Sequence, residues 1–167
     1  MEDNGCVSDA VTYETIIRVL FRKNENDKAQ KLLHEMIARG LLKIFPCFLS
    51  ILLEKIKDKG IQPDMYTYNI IIDGLCTSGR LKDALEVFQE LLMKGYQLNV
   101  VTYNIMINGL CIEGLSDEAL TLQSKMEDNG CVPDAVTYET IIRALFRKSE
   151  NDKAQKFLHE MIARGLL

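Results

Sequence analysis

The sequence predicts an all-α protein, an α-solenoid of antiparallel helical hairpins, and three observations lead to this prediction. The chain of 167 residues repeats itself with a period of 35, most clearly in residues 65–99 and 100–134. Each copy holds two stretches whose apolar residues recur at helical spacing. In residues 65–99 and 100–134, glycine stands between the two stretches and again after the second one. A period of this size is typical of stacked units that are each too small to bury an apolar face alone.

The first stretch of each repeat predicts a helix with one buried stripe. Its apolar residues recur at i, i+4, i+7 and i+8, which places them on one side of a helix. The stripe consists of Tyr103, Ile107, Leu110 and Cys111 in one repeat and of Tyr68, Ile72, Leu75 and Cys76 in the repeat before it.

The second stretch predicts a second helix that lies antiparallel to the first. An alanine stands at the same place in every copy, and such a small side chain lets two helices approach closely. Gly79 precedes this stretch and Gly95 follows it, so both ends carry residues that break a helix. The predicted stripe consists of Leu81, Ala84, Leu85, Phe88 and Leu91.

One segment departs from the pattern. Residues 45–64 match only the second half of a repeat, so we expect one unpaired helix near residues 47–59, packed between neighbouring hairpins through its apolar face. Residues 1–42 differ from 126–167 at only four positions, which indicates a recent duplication within a rearranged or partial repeat protein. The predicted segments are the tail of a truncated repeat at 1–9, repeat 1 at 10–44, the half repeat at 45–64, repeat 2 at 65–99, repeat 3 at 100–134 and repeat 4 at 135–167.

The chemistry-bearing residues argue against an enzyme and against a metal or cofactor site. Cys76 and Cys111 are repeat equivalents on apolar stripes, where cysteine acts as a small hydrophobe, and no CxxC pair occurs. The repeat-equivalent His34 and His159 have no nucleophile at catalytic spacing. We expect no targeting peptide at the polar N-terminus and no membrane span, because residues 44–53 supply about half of the roughly 20 apolar residues needed.

The strings VTYNIMINGLC and TYNIIIDGLCTSGRLKDALEVFQELLMKG, with the ending KMEDNGCVPD, resemble the pentatricopeptide repeat in its plain 35-residue form. The tetratricopeptide repeat has a period of 34 and a tryptophan signature that this chain lacks. The resemblance covers nearly the whole chain from residue 10. It implies a right-handed superhelix and a plant RNA-binding protein of the mitochondrion or chloroplast that serves in RNA processing or stability.

The resemblance also implies that each repeat reads one base of single-stranded RNA. In this family the residue after the tyrosine, together with the last residue of the repeat, selects the base. Repeat 2 then offers Asn69 with Asn99 for cytosine, and repeat 3 offers Asn104 with Asp134 for uracil. The second residue of a repeat sandwiches the base, a role that the resemblance gives to Tyr66, Val101 and Val136.

The sequence alone also allows roles for these residues that do not involve RNA. Asn99 and Asp134 stand directly before predicted helices, where Asn and Asp are good N-caps. Asn69 and Asn104 could be ordinary exposed helix residues. Repeat 4 has Glu139 where repeat 3 has Asn104, and the formal charge of −4 lacks the basic balance of a strong phosphate binder. A protein-interaction solenoid or a non-functional fragment of a longer repeat protein is therefore the alternative function.

Overall fold

The computed structural model describes residues 64–167 and, before them, the single positions 13, 16, 25, 28, 31, 32 and 35. Residues 64–167 form helices joined by short turns, and neither this range nor those single positions include a strand. The all-α prediction is confirmed. The helices are α1 (Met65–Thr77), α2 (Leu81–Met93), α3 (Val100–Ile112), α4 (Ser116–Asp128), α5 (Ala135–Arg147) and α6 (Asn151–Ala163).

The chain divides into two compact units, Met1–Arg80 and Leu81–Leu167, and each is described by itself. Of the first unit the structure describes α1 and the single positions, so the predicted repeat 1 and half repeat lie almost wholly outside the described residues. Among the helices that are described, none is both long and apolar enough to cross a membrane.

The buried stripe predicted for the first helix of each repeat is present. Tyr103, Ile107, Leu110 and Cys111 of α3 are all buried, as are their four equivalents in α1. Tyr103 is 1% exposed; its ring meets the Phe88 ring edge-on with centroids 5.5 Å apart, and its hydroxyl accepts from Asn129 Nδ2 at 3.0 Å. Asn129 ends α4 and Tyr103 stands near the start of α3, so these two helices run antiparallel.

The stripe of the second helix is confirmed with one difference. Ala84, Ala119 and Ala154 are completely buried, which is consistent with the close helix approach that a small side chain allows. In α2, Leu85 is partly exposed and Val87 is buried instead. Helical periodicity predicts the centre of a buried stripe well, but it does not determine which residue at the edge of the stripe is buried. Packing against the next repeat decides that.

Successive repeats in the second unit are joined by packing and by polar contacts. α3 packs against both α4 and α5, and α4 also packs against α5. Lys153 Nζ lies 3.0 Å from Asp117 Oδ1, and Arg164 Nη2 lies 2.9 Å from Glu127 Oε1, each pair linking α4 to α6. The α5–α6 hairpin is thus stacked on the α3–α4 hairpin, which is the arrangement of a solenoid.

The two near-identical parts of the chain contain the same side-chain contact. Tyr138 Oη donates to Glu160 Oε1 at 2.7 Å, where the start of α5 meets the end of α6. Tyr13 Oη donates to Glu35 Oε1 at 2.9 Å, at the equivalent positions of the first unit. The tyrosine and the glutamate therefore meet within each copy.

The turn between the two helices of a repeat passes through a residue with positive φ. The value is +74° at Gly79 and +76° at Gly114, but the equivalent residue in the last repeat is Ser149, at +60°. A side chain in this left-handed region costs roughly 1–2 kcal/mol, whereas glycine adopts it freely.

We expect Ser149→Gly to stabilise the chain by about 1 kcal/mol and the matched change Gly114→Ser to destabilise it by about the same amount. Urea denaturation followed by circular dichroism measures both. Equal stability of the two variants would contradict this account of the turn.

Candidate nucleic-acid interface

Each first helix begins directly after an Asp or Asn that caps it. Asp64, Asn99 and Asp134 precede α1, α3 and α5, and each accepts from the backbone N–H of a threonine three residues later, at 2.9, 3.0 and 3.0 Å. These N–H groups have no partner within the helix, so a side-chain oxygen stabilises the helix start. The capping role that the sequence left open is therefore present.

Asp134 does more than cap its own helix. Asn104 Nδ2, on α3, donates to Asp134 Oδ1 at 2.9 Å, so the two predicted base-selecting residues of repeat 3 are in contact. Thr137 Oγ1 lies 2.6 Å from Asn104 Oδ1 and 3.0 Å from Asp134 Oδ1. We call Asn104, Asp134 and Thr137 the Asn104 cluster. Asn104 and Asp134 are half-buried, so part of each side chain faces solvent.

The Asn104 cluster favours the ionised form of Asp134. Partial burial raises the pKa of this carboxyl, but the hydrogen bonds from Asn104 and Thr137 outweigh burial and hold the pKa below its ordinary value. A depressed folded-state pKa contributes stability that is fully present above the unfolded value, about 3.9, and is lost as the pH falls through the folded value.

We expect the difference in stability between the wild type and Asp134→Asn to stay constant above about pH 5 and to shrink steadily below about pH 4. Asn remains a good N-cap, so the variant isolates the charge from the cap. Urea denaturation at a series of pH values gives this difference. A difference that is independent of pH would show that the cluster does not favour the carboxylate.

Apolar side chains stand exposed at the second position of repeats 2 to 4. Tyr66 is 51% exposed, Val101 55% and Val136 54%. Each lies at the start of a first helix, two residues after a capping residue. Exposed rings and branched side chains offer surfaces on which a base can stack. Contact between these residues and RNA stays a prediction.

The predicted base-selecting residues of repeat 2, Asn69 and Asn99, differ from those of repeat 3 in their burial and in their contacts. Asn69 is 8% exposed, so its interpretation as an ordinary exposed helix residue is wrong. Asn99 is exposed and its side chain accepts from the backbone N–H and the hydroxyl of Thr102. Asn69 lies in the first unit and Asn99 in the second, so the pairing of these two residues stays a prediction.

Of the charged residues on α5, one makes a hydrogen bond to another helix and two others are exposed to solvent. Arg147 Nη2 donates to the carbonyl oxygen of Cys111 at 3.0 Å and so joins the end of α5 to the end of α3. Arg143 and Glu139 are exposed on α5.

Burial raises the pKa of the Cys111 thiol to about 11, although Arg147 and Lys148 oppose this shift, so the thiol stays protonated in the core. Among the described residues, no group of His, Cys, Asp and Glu could hold a metal ion.

Thr137 is the member of the Asn104 cluster that the prediction from sequence did not include. A signal was present, because a threonine stands at the third position of all four repeats. Its capping role is local, but its contact with Asn104 spans 33 positions and depends on how two repeats stack. The four threonines are Thr12, Thr67, Thr102 and Thr137.

The stacked hairpins of the second unit, joined by contacts between equivalent repeat positions, define a helical repeat protein of the α-solenoid class. The sequence matches the PPR repeat family over residues 51–77, 66–112 and 98–147, and the PPR repeat over residues 4–37 and 136–166. These matches cover more than half of the chain. The chain belongs to the pentatricopeptide repeat family.

Relatives in Arabidopsis thaliana match part of the chain. A chloroplastic pentatricopeptide repeat-containing protein is 33% identical in an alignment of 106 residues, and the match covers 54% of this chain and 14% of that protein. The small ribosomal subunit protein mL103 (rPPR7) is 26% identical in an alignment of 105 residues, and the match covers 54% of this chain and 26% of that protein. The chain thus spans only a minor part of the length of these relatives.

Solved structures of the family are similar over nearly the whole chain. The pentatricopeptide repeat protein PPR10 in complex with an 18-nt psaJ RNA element superposes with a TM-score of 0.66 at 25% identity, over 95% of this chain and 26% of that one. The PPR domain of Arabidopsis thaliana protein-only RNase P 1, in complex with tRNA, superposes with a TM-score of 0.59 at 16% identity, over 91% of this chain and 88% of that one. The second likeness shows the fold alone.

Proposed function

We propose that this chain is a sequence-selective module for single-stranded RNA, in which each reading repeat selects one base. The observation that carries the proposal is the Asn104–Asp134 contact at 2.9 Å, which holds a side chain of α3 against the residue that caps α5 while leaving both partly exposed. The similar protein PPR10 has been solved with an RNA element bound, which supports RNA as the ligand class.

The chemistry of the pair suits a pyrimidine. Asn104 carries both a donor and an acceptor, and ionised Asp134 accepts only, so together they can satisfy the edge of uracil directly or through water. The corresponding pair in repeat 2, Asn69 with Asn99, is proposed to select cytosine. Tyr66, Val101 and Val136 are proposed to hold the bases between them.

The chain alone is expected to bind RNA weakly. Stacking contributes about 1 to 3 kcal/mol per base, so two read bases give roughly 2 to 6 kcal/mol. This corresponds to dissociation constants of tens of micromolar at best. The formal charge of −4 supplies no general attraction to phosphate, so base contacts must carry most of the affinity.

The proposed role is non-catalytic, in an organellar factor for RNA processing or stability. Relatives of this chain carry the descriptions chloroplastic and mitochondrial, which supports a location in one of these organelles. The described residues include no metal cluster, and the proposed mechanism requires none.

Titration of the full chain with short pyrimidine and purine RNAs at two salt concentrations tests the proposal. We expect pyrimidine RNA to bind more tightly, with a shallow dependence on salt because few phosphates are neutralised. Binding of both RNAs with equal affinity and a steep salt dependence would instead indicate non-specific electrostatic attraction and would contradict base selection.

A protein-interaction solenoid is the second candidate. The acidic balance of the chain and the exposed Glu139, at the place where repeat 3 has Asn104, favour it because both oppose a phosphate backbone. This candidate predicts no RNA binding in the titration at either salt concentration.

A further inference from the structure

We infer that Thr137 is a positioning residue that fixes the orientation of the Asn104 side-chain amide and thereby sets which base the Asn104 cluster accepts. The inference rests on the proposed RNA-binding function and adds a third residue to the pair that the sequence predicts. It follows from which atoms of the Asn104 cluster can donate hydrogen bonds and which can only accept.

Asp134 determines which end of the Asn104 amide faces it. Its Oδ1 accepts from Asn104 Nδ2 at 2.9 Å and from the backbone N–H of Thr137 at 3.0 Å. An ionised carboxylate cannot donate, so the group of Asn104 that faces it must be the NH₂ group. If the amide were flipped, its oxygen would meet the carboxylate oxygen and two acceptors would repel each other.

The hydroxyl of Thr137 holds the other end of the Asn104 amide. With the Asn104 NH₂ group facing Asp134, Asn104 Oδ1 lies 2.6 Å from Thr137 Oγ1. Two oxygens at this distance share a hydrogen, and the amide oxygen has none, so the Thr137 hydroxyl donates. The same Oγ1 accepts from the backbone N–H of Asp134 at 3.2 Å, so the hydroxyl hydrogen points away from that group. Asp134 Oδ1, at 3.0 Å, is the other acceptor within reach, and the shorter contact to Asn104 is the stronger of the two.

Capping alone does not require this contact. A threonine at the third helical position completes a capping box with the Asp at the N-cap, and Thr137 does so with Asp134. The hydrogen bond to Asn104 is additional, since it reaches a different helix in the preceding repeat. Both ends of the Asn104 amide are therefore held before any ligand binds.

A fixed amide presents a fixed order of donor and acceptor. Asn104 keeps one N–H and one oxygen lone pair for a ligand, and Asp134 keeps Oδ2. Uracil carries an N–H at N3 and an oxygen at C4, whereas cytosine carries an acceptor at N3 and an amine at C4. Because the two bases have opposite patterns at these atoms, an amide that could flip would accept both, and one that is held discriminates.

The variants Thr137→Val and Thr137→Ser test the inference in the full chain. Valine keeps the shape of threonine but removes the hydroxyl, and serine keeps the hydroxyl. Thr102→Val is the matched control, because Thr102 also bonds its capping residue, Asn99, at the start of the helix that carries Asn104. It removes an equivalent capping hydroxyl without touching the hydrogen bond from Thr137 to Asn104.

The readout is an NMR titration with the hexanucleotides AACUAA and AACCAA, which differ only in the base meant for repeat 3. We expect Thr137→Val to reduce the ratio of uracil to cytosine affinity by about fivefold, the typical worth of one hydrogen bond, mainly through tighter cytosine binding. Thr137→Ser and Thr102→Val should keep the ratio within about twofold of the wild type.

The free protein provides an independent measurement. In the wild type the Asn104 side-chain amide should give nuclear Overhauser contacts to Thr137 that define one orientation; averaged orientations would overturn the inference even if Thr137→Val fails to fold. An unchanged ratio in a folded Thr137→Val would overturn it as well. If the wild type itself prefers neither base, the proposed function fails, and the NMR spectrum of the free protein still decides whether the amide is fixed.

Discussion

Replacing Asn104 by Ala together with Asp134 by Ser is expected to remove the preference for uracil at one position of the bound RNA, by about tenfold or more. A pair of side chains that reads a base edge typically discriminates by about 1–3 kcal/mol, and this variant removes both members. Serine is a good N-cap, so the start of α5 should remain intact and the stability should fall by no more than about 1 kcal/mol.

This experiment needs binding tight enough to measure at each base. Residues 64–167, which include repeats 2 and 3 together with Asp64 and α5, are therefore placed in a longer array of known target. Dissociation constants are determined for RNAs with each of the four bases at the position of repeat 3. Asp64→Ser is the matched control, since it removes the same carboxylate from an equivalent cap. An unchanged base preference in the double variant would show that Asn104 and Asp134 stabilise the fold and do not read RNA.

Tyr103→Ala is expected to destabilise the second unit by about 3–5 kcal/mol, the range for loss of a buried aromatic side chain. Tyr103 is 1% exposed, its ring meets Phe88 of the preceding repeat edge-on, and its hydroxyl is bonded to Asn129 at the end of α4. One side chain thus connects three helices, so the loss leaves a cavity where two repeats meet.

Tyr103→Phe is the matched control because it removes only the hydroxyl and its hydrogen bond to Asn129, for an expected cost of about 1 kcal/mol. Urea denaturation followed by circular dichroism gives both values. A cost below about 1.5 kcal/mol for the alanine variant would mean that neighbouring repeats unfold independently and that packing between them contributes little.

Local patterns in the sequence were sufficient for most of the fold. The 35-residue period, the apolar stripe of α3 and the capping residues before α3 and α5 predicted the helices that the structure contains. These features act over one or two helical turns, so they can be recognised without knowing where the neighbouring repeats lie. The resemblance to the pentatricopeptide repeat rested on the same short strings, and the family matches confirm it.

The candidate site could be predicted from the sequence only in part. The sequence indicated Asn104 and Asp134 as a pair, through the family resemblance, but it did not show that Asp134 caps a helix and bonds Asn104 with the same oxygen. From the sequence, capping and base reading were alternatives for this residue. The structure shows that the cap is present and uses Oδ1, so Oδ2 can serve a second role and the two roles are compatible.

Contacts between repeats were decided by tertiary packing alone. Thr137 bonds Asn104 across 33 positions, and Arg147 bonds the Cys111 carbonyl across 36. Such contacts depend on the distance and angle between helices, which follow from how whole buried faces interlock. The same holds for Val87, which is buried where the periodicity indicated Leu85. Helix-forming patterns are local and can therefore be recognised in the sequence, whereas the hydrogen bonds that orient Asn104 form only when two repeats are stacked.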